Sequence, residues 1–461
     1  MKSITCYLKK PEIPDVYRSQ VKALVPALIA DQAVSVLMPI VNTAMTAYAD
    51  TSVLAGMALA SSVCNILTAI ISALTIGSTV LAAQLHGKDD SSSLTSLVAQ
   101  TGIYGALLSA LIAFVCLLSS SFVLPLLFSA SDPAVLLTAE TYYRWSVLSL
   151  PFAFITAHVS GLFRSAGDSG KPLIFGIFTN IINIILGYFL IVGLPGKGGY
   201  GAAGAGITIF VSRLLGAVLS FLFLAITSLP IKFRLNRRSL SNSYFFRKAL
   251  PIGLASASEN LLYYTGRMLL QLIISTEGTI AVAANQVVLS IHQFAIIVPT
   301  AFSTATFTVI GQSYGKKDEE GCQKWEHYLG FLSQYICMAT AVLLVIFAKP
   351  VCSLITSDQE VVLAAVPALM IETISLLCWT RAVIPGVAIK SCGHYQFPFL
   401  LNSATMWIFQ VAFVYLISKP YGAAGVWAGY VISTAVRALL YLWYLKQNRW
   451  ALYTDQPRNN T

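Results

Sequence analysis

The feature that most constrains this chain is where charged residues are missing. Residues 51–87, 91–131, 278–315 and 391–418 contain no Asp, Glu, Lys or Arg. A helix needs about 20 apolar residues to cross the hydrocarbon core of a bilayer, so each stretch is long enough for at least one crossing. Charged residues make up only 10% of the chain, against roughly 25% in soluble domains. The sequence therefore predicts a protein that crosses a membrane many times.

The uncharged stretches favour helices over strands. A transmembrane strand alternates apolar and polar residues, whereas residues 106–118 and 180–192 continue without alternation. We predict an all-α polytopic membrane protein with twelve transmembrane helices. Their approximate spans are 20–46, 53–85, 95–119, 135–160, 171–193, 202–228, 246–275, 278–312, 325–348, 361–388, 396–418 and 423–446.

The basic residues indicate the orientation in the membrane. Cytoplasmic loops carry an excess of Lys and Arg, and an even number of crossings places both termini on one side. That side receives most of the basic loop residues, while the other side has Lys197, Lys349 and Lys419. We predict a multi-pass protein of the cytoplasmic membrane with both termini in the cytoplasm. The net charge of +10 then reflects topology and contact with anionic membrane lipid, not nucleic-acid binding.

The two halves of the chain repeat one another. Gln84-Leu-His-Gly-Lys-Asp-Asp90 resembles Gln312-Ser-Tyr-Gly-Lys-Lys-Asp318, and Tyr200-Gly-Ala-Ala-Gly204 recurs as Tyr421-Gly-Ala-Ala-Gly425 at nearly the same spacing. Six helices per half point the same way, so the halves are expected to be related by a pseudo-two-fold axis along the membrane normal, with the substrate path at their interface.

This repeat predicts the domain organisation. Residues 1–230 are expected to form an N-terminal lobe of six helices, and residues 249–461 a C-terminal lobe of six. The basic, polar stretch between them, 231–248, is expected to be a cytoplasmic linker.

Several short motifs, each weak alone, together resemble the multidrug and toxic compound extrusion (MATE) family of prokaryotic type. They are Leu54-Ala-Gly-Met-Ala-Leu-Ala60, Ala82-Ala-Gln-Leu-His-Gly-Lys88, Phe163-Arg-Ser-Ala-Gly-Asp168, Asn180-Ile-Ile-Asn183 and Ala283-Ala-Asn-Gln286. The resemblance implies a V-shaped pair of six-helix lobes. It also implies a secondary-active antiporter that exports organic, cationic or amphipathic compounds in exchange for Na⁺ or H⁺.

The chain departs from this family pattern in its N-terminal half. Many prokaryotic members carry an Asp late in the first helix, where this chain has Asn42, and another after the asparagines of the fifth helix, where it has Gly187. Asn42 and Asn180 occupy motif positions and are candidates for ion coupling or substrate binding. A proton mechanism that uses the usual acid pair is not expected here.

Charged residues inside the predicted spans are candidates for function, because a charge at the bilayer centre costs about 2.5–3.5 kcal/mol on insertion scales. We expect three of the arginines, Arg144, Arg213 and Arg437, to snorkel or to pair structurally. The full set is Asp31, Arg144, Arg213, Glu259, Arg267, Glu372, Arg381 and Arg437.

Glu259 is the leading candidate for ion coupling. The resemblance implies a coupling carboxylate in the seventh helix, where Glu259 follows Pro251. A buried carboxyl group can exchange a proton near neutral pH, and its oxygens suit Na⁺. Some relatives carry an acid where this chain has Arg381, so the hypothesis is a Glu259–Arg381 ion pair that the cation or the substrate opens. A permanent structural pair is the alternative.

Two further acids are candidates. Glu372 precedes Arg381 by nine residues and faces the opposite side of the helix, about 180° away. It is the second carboxylate of the C-terminal lobe, and Arg267 is a possible partner. Asp31 is the one acid deep in the N-terminal lobe; it either takes the missing proton role or is simply solvated.

Three aromatic residues, Tyr263, Tyr264 and Trp379, are candidates for a pocket that holds flat cations through π contacts. Besides the coupling ion, no cofactor is expected, and the expected partners are a small-molecule substrate and membrane lipid. The protein is expected to act as a monomer.

Other functions stay open at this point. A lipid-linked sugar flippase of the same superfamily is an alternative, because such proteins have arginine-lined cavities and this chain has Arg213, Arg267 and Arg381 within its spans. A non-transporting scaffold or receptor is disfavoured by the buried acids. A membrane-embedded enzyme is not expected, since no catalytic arrangement is visible in the sequence.

Overall fold

The computed structural model consists almost entirely of helices. The first half of the chain contains α1 (Asp15–Thr46), α2 (Thr51–Gly87), α3 (Ser91–Leu118), α4 (Ser120–Leu127), α5 (Pro133–Leu148), α6 (Leu150–Ser165), α7 (Gly170–Gly187) and α8 (Gly201–Ile226). The structure describes residues 15–46, 51–128, 132–194, 197–227, 243–447 and 450–451.

The second half repeats this pattern. Its helices are α9 (Tyr244–Ser275), α10 (Thr279–Ala295), α11 (Ile297–Gly315), α12 (Glu319–Ile346), α13 (Ala348–Ile355), α14 (Gln359–Ser391), α15 (Gln396–Ala404) and α16 (Phe413–Leu445).

Two π-helical segments interrupt this helical pattern. One, Tyr188–Val192, follows α7, and the other, Thr405–Ala412, joins α15 to α16. A two-stranded antiparallel hairpin, β1 (Gly193–Leu194) and β2 (Lys197–Gly198), precedes α8 and pairs Leu194 with Lys197.

The helices match the twelve predicted crossings. Within the described part of the chain, nine helical spans are individually long and apolar enough to cross a membrane, and the bent pairs α5–α6 and α10–α11 each qualify together. The remaining predicted crossing is α9, which has 32 residues and carries Glu259 and Arg267 within its length. The prediction of an all-α polytopic membrane protein is confirmed.

Both bends occur beside a proline. The axis turns by 42° between α5 and α6 and by 45° between α10 and α11, and Pro151 and Pro299 lie in the first turn of α6 and of α11. Proline lacks the backbone N–H that would continue the preceding helix. Pro299 therefore accounts for the break at Ile296.

The chain divides into two compact units. The first unit is residues 33–260, and the second unit is residues 1–32 together with 261–461. These boundaries cut α1 after Gln32 and α9 after Asn260, so they do not test the lobe boundaries that the repeat predicts. The predicted linker and both chain ends lie largely outside the described residues.

Each unit has its own apolar core. In the first unit, Ile71 of α2 packs in one cluster with Tyr143 of α5 and Phe154 of α6. In the second unit, Leu28 of α1 packs in one cluster with Phe302 of α11.

The duplicated loops share an unusual backbone conformation. Asp89 and Lys317 hold φ angles of 56° and 62°, and Gly167 and Gly393 hold 86° and 88°. Left-handed backbone is costly for residues other than glycine, so its recurrence at matching positions of both halves supports the internal repeat.

Candidate functional site: a polar cavity in the second unit

A cavity lies inside the second unit, between α9, α10, α14, α16 and the π-helical segment Thr405–Ala412. It contains about 490 Å³ of space free of atoms, part of it open to solvent. One part of the wall is apolar and includes Leu270, Ile274, Val288 and Trp427. The polar part is formed by Arg267, Gln271, Asn285, Glu372, Gln410 and Tyr430.

An ionisable pair stands at this cavity. His292 Nδ1 lies 2.7 Å from Glu372 Oε1, and the Ser375 hydroxyl donates to the same oxygen over 3.0 Å. Only 8% of Glu372 and 9% of His292 is exposed. Ser375 follows Glu372 by one helical turn, so α14 itself supplies the second donor, while His292 comes from the last turn of α10.

Three more side chains form a hydrogen-bonded chain along the wall. Asn285 Nδ2 donates to Gln271 Oε1 over 3.0 Å, and Trp427 Nε1 donates to Asn285 Oδ1 over 3.3 Å. Buried polar groups need such partners. These bonds fix the orientation of the Gln271 and Asn285 side-chain amides, and the oxygen of each amide accepts one hydrogen bond.

Arg267 reaches the same cavity from α9. Its guanidinium carbon lies 5.9 Å from the centre of the Tyr263 ring, and it interacts electrostatically with Tyr430 and Glu372. The structure therefore brings together Arg267 and Glu372, which sequence spacing named as possible partners. Among the described residues, no hydrogen bond joins them.

Gln410 is the most buried polar residue of the wall, with 2% of its surface exposed. Its side chain lines the cavity, and Nε2 has no hydrogen-bond partner within the described structure. A buried amide without a partner costs about 1–3 kcal/mol. This nitrogen is therefore an unsatisfied donor of a side chain that lines the cavity.

A second buried charge lies elsewhere in the second unit. Glu326 of α12 is 2% exposed and interacts electrostatically with Arg381 of α14. Gly330 leaves room for both groups: a Cβ there would lie 3.5 Å from Arg381 Nη1 and 3.7 Å from Glu326 Oε1. Sequence analysis missed Glu326 because it lies close to the polar start of its helix. Its position in the sequence does carry a signal: Glu326 lies four residues after Cys322 and three before Leu329, so all three share one face of α12. Cys322 and Leu329 are fully buried, and Glu326 is buried with them.

The predicted Glu259–Arg381 pair stays a prediction. Glu259 is half-buried on α9 and belongs to the first unit, whereas Arg381 belongs to the second. Within its own unit, Arg381 interacts electrostatically with the neighbouring Glu326 carboxyl group. Glu372 and Arg381 thus face different partners on α14, in agreement with their nine-residue spacing.

The remaining acid and amide candidates lie away from the cavity. Asp31 is buried on α1, in the part of that helix that belongs to the second unit, although the sequence placed it in the N-terminal lobe. Asn42 and Asn180 are half-buried. One turn beyond Asn180, Asn183 is buried and its Nδ2 donates to Ser212 Oγ over 3.2 Å.

The three aromatic candidates do not gather around one space. The rings of Tyr263 and Tyr264 meet edge to face at 5.8 Å, and Tyr263 contacts the cavity residue Arg267. Neighbouring positions on a helix point about 100° apart, and neither Tyr264 nor Trp379 is part of the cavity wall. The aromatic residues of the wall are Trp427 and Tyr430, which sequence analysis did not select.

Membrane-length helices around an internal cavity with buried ionisable groups define a multi-pass membrane transporter. Sequence comparison supports this class. The sequence model of the MatE family matches residues 27–189 and 255–416, which is most of the chain. The chain belongs to the MATE family of transporters.

Individual relatives are distant in sequence but match most of the chain. The probable multidrug resistance protein NorM of Thermotoga maritima is 24% identical over 455 residues, covering 96% of this chain and 95% of its own. The human multidrug and toxin extrusion protein 1 is 21% identical over 344 residues, covering 72% of this chain and 58% of its own.

Solved structures show the same fold. A MOP superfamily transporter from Pyrococcus furiosus, for which reverse polarity of the binding pocket suggests a different function, gives a TM-score of 0.88 at 19% identity and covers 98% of this chain and 99% of its own. An outward-facing multidrug resistance MATE family transporter gives 0.87 at 20% identity, covering 94% of this chain and 96% of its own.

Proposed function

We propose that this protein is a secondary-active efflux transporter of the cytoplasmic membrane. It exports organic compounds in exchange for Na⁺ or H⁺ by alternating access, with both termini in the cytoplasm. It acts as a monomer and carries out no chemical conversion. Names such as multidrug resistance protein among its relatives support export of small organic molecules.

The observation that carries this proposal is the cavity of the second unit. Its wall places Arg267 and Glu372 beside about 490 Å³ of space free of atoms, part of it open to solvent. Buried charges are costly inside a membrane protein and mark substrate or ion pathways. A cavity lined partly by charge and partly by apolar side chains suits an amphipathic molecule.

Ion coupling is assigned first to Glu259 and second to Glu372. Each is a carboxyl group on a membrane-length helix, able to bind a proton or to ligate Na⁺. Glu259 is half-buried, whereas Glu372 is buried and one of its oxygens contacts His292 and accepts a hydrogen bond from Ser375. Asp31, Asn42 and Asn180 remain further candidates.

A lipid-linked sugar flippase is less well supported. Of the three arginines that favour it, only Arg267 lines the cavity. Arg213 donates to the Ser149 hydroxyl over 2.9 Å, and Arg381 lies beside Glu326.

The test is dye transport in inverted membrane vesicles. Ethidium uptake is measured with a H⁺ gradient alone and with a Na⁺ gradient alone, for the wild type, Glu259→Gln and Glu372→Gln. We expect uptake with one of the gradients, and a loss of the gradient-dependent part in Glu259→Gln of roughly fivefold to 150-fold, the usual range of coupling between sites.

A matched control is Glu140→Gln. Glu140 forms a 2.6 Å ion pair with the exposed Arg144 on α5 and is not one of the proposed coupling residues. This variant makes the same chemical change elsewhere in the protein, so it should transport normally. If neither ethidium nor an aromatic carboxylate such as 2-naphthoate is taken up under either gradient, the proposed function is contradicted. Normal gradient dependence in both glutamine variants would contradict only the assignment of coupling.

A further inference from the structure

We propose that the cavity of the second unit binds an organic anion, a compound with a carboxylate at one end and an apolar, aromatic body at the other. This inference rests on the proposed function, because it names the substrate class of the same cavity. The observation behind it is that some hydrogen-bonding groups of the cavity wall have partners in the described structure and others have none.

The open groups are mainly donors. Arg267 has five N–H donors in a planar fork that matches a carboxylate, and none of them forms a hydrogen bond within the described part of the protein. Gln410 Nε2 is buried and equally without a partner there. Both side chains line the cavity, so they offer unused donors from two different elements.

Three acceptors of the same wall are occupied. Glu372 Oε1 faces His292 Nδ1 and accepts from Ser375, Asn285 Oδ1 accepts from Trp427, and Gln271 Oε1 accepts from Asn285. Two acceptors of the described wall, Glu372 Oε2 and Gln410 Oε1, have no hydrogen bond, against the five donors of Arg267. A ligand that brings two acceptor oxygens satisfies the donors that the protein leaves open, and charge-assisted bonds of this kind are the strong ones.

The apolar part of the wall fits the other end of such a ligand. Leu270, Ile274, Val288 and Val426 line the cavity beside the Trp427 ring. This surface removes an aromatic body from water at about 25 cal/mol per Å² of buried apolar area. The combination favours an aromatic carboxylate over a small inorganic anion.

The titratable groups facing the cavity determine which charge a ligand meets there. They are Arg267 of α9, His292 of α10, Glu372 of α14 and Tyr430 of α16, with Tyr263 and Tyr264 behind Arg267. Glu372 lies 2.7 Å from His292, so its carboxylate has a partner of its own, and Arg267 is the charged group of this wall that forms no hydrogen bond within the described structure.

The experiment is calorimetric titration of the purified full-length protein in detergent with three probes of one shape: 2-naphthoate, its neutral amide 2-naphthamide, and 2-naphthylmethylammonium. We expect 2-naphthoate to bind at least about tenfold more tightly than the amide and the ammonium compound to bind most weakly. Arg267→Gln should bring the acid and the amide to within about twofold, whereas Arg267→Lys retains part of the preference.

Two further variants separate the site from the fold. Gln410→Leu keeps the shape but removes the donor, and should weaken 2-naphthoate about threefold to tenfold. Arg213→Gln removes a half-buried arginine of the first unit and should leave the preference unchanged. Each variant is compared by gel filtration and thermal unfolding before titration.

The inference is overturned if the amide or the ammonium compound binds as tightly as 2-naphthoate, or if folded Arg267→Gln keeps the preference for the acid. Its failure is distinct from that of the proposed function. Vesicles that transport ethidium while 2-naphthoate does not bind would reject the anion site alone. Binding of 2-naphthoate without any ion-driven transport would reject the function and leave the site.

Discussion

The two units treat buried ionisable side chains differently. In the first unit, Arg213 donates to the hydroxyls of Ser149 and Thr68 over 2.9 and 3.4 Å, and His158 Nδ1 lies 3.0 Å from Ser78 Oγ. In the second unit, the described structure pairs His292 with Glu372 and places Glu326 beside Arg381. The internal repeat has thus kept the helices and the loops but has not kept the charges.

Their cavities differ in the same way. A cavity of about 300 Å³ in the first unit is lined mainly by apolar groups such as Leu74, Leu108 and Phe154, with the hydroxyls of Ser78 and Thr101. The cavity of the second unit carries Arg267 and Glu372. A duplicated scaffold therefore carries one cavity without charged side chains in its wall and one with two of them, Arg267 and Glu372.

The largest expected effect concerns the buried charge of Glu326. Glu326→Gln removes a buried carboxyl group that interacts electrostatically with Arg381, and loss of one of two interacting buried charges costs up to about 3–5 kcal/mol. Glu140→Gln in the first unit removes the partner of the exposed Arg144 and should cost less than about 1 kcal/mol. The free energy of unfolding in mixed detergent micelles measures both. Equal losses would show that burial does not distinguish the two pairs.

Next in size is a pair of glycine substitutions. Gly77→Ala in the first unit would drive a Cβ into the backbone carbonyl of Ala249, and overpacking costs about 1–3 kcal/mol. Gly330→Ala in the second unit meets its nearest atom at 3.5 Å and should gain up to about 1 kcal/mol of helix propensity. Thermal unfolding of both variants checks the signs. A destabilised Gly330→Ala would mean that the space beside Glu326 and Arg381 is needed.

Substituting one buried histidine in each unit tests whether the difference between the two units matters for transport. His292→Gln removes the partner of Glu372 and should lower ion-driven ethidium uptake about tenfold, which corresponds to about 1.4 kcal/mol. His158→Gln, whose ring stacks on Phe154 at 5.6 Å, should change uptake less than about twofold. Initial rates in inverted vesicles give both numbers. Equal effects would remove the functional difference between the units.

The smallest expected effect is the stability lost when a helix cap is removed, and it should be the same in both halves of the chain. Asp90 Oδ1 accepts from the Ser93 N–H over 3.0 Å and Asp318 Oδ1 accepts from the Gly321 N–H over 2.8 Å. Each caps a helix, so Asp90→Ala and Asp318→Ala should each cost about 1 kcal/mol. Thermal unfolding at neutral pH measures the two losses, and clearly unequal values would contradict an equivalent role for the duplicated loops.

The Asp90 cap should also depend on pH. Hydrogen bonds from the Ser93 side chain and backbone N–H hold the pKa of Asp90 below its ordinary value. Its contribution to stability is therefore present at neutral pH and is lost as the pH falls through that lowered pKa. The difference in melting temperature between wild type and Asp90→Ala should shrink on acidification. A constant difference would assign the stabilisation to something other than the ionised carboxylate.

The membrane-crossing helices could be predicted from the sequence, because a crossing depends on composition over about 20 residues. Every predicted crossing has a helix in the structure. Local composition does not reveal where a helix breaks: α4 and α13, each of eight residues, are each separated from the long helix before them by one residue, Ser119 and Phe347. Such breaks depend on packing against other helices.

The candidate site was predictable only in part. Glu372 and Arg267 stand out because charges are rare in apolar spans, and the structure places both at one cavity. His292 gave no such signal, since its pairing with Glu372 joins positions 80 residues apart in the chain. Gln410 is an ordinary polar residue in the sequence, and its significance depends on the absence of a local partner, which only the folded structure shows.

The π-helical segments affect how this chain should be aligned with its relatives. A π-helical turn holds about one residue more than the α-helical turn it replaces, so the residues beyond it are rotated by roughly 100° relative to an uninterrupted helix. Tyr188–Val192 and Thr405–Ala412 occupy matching places in the two halves, each ahead of a Tyr-Gly-Ala-Ala-Gly motif. Deleting one residue from Thr405–Ala412 should leave the helix intact and turn the Gln410 side chain off the cavity. A relative without the extra residue would need a one-residue gap there, and it would present a different side chain to the bound molecule.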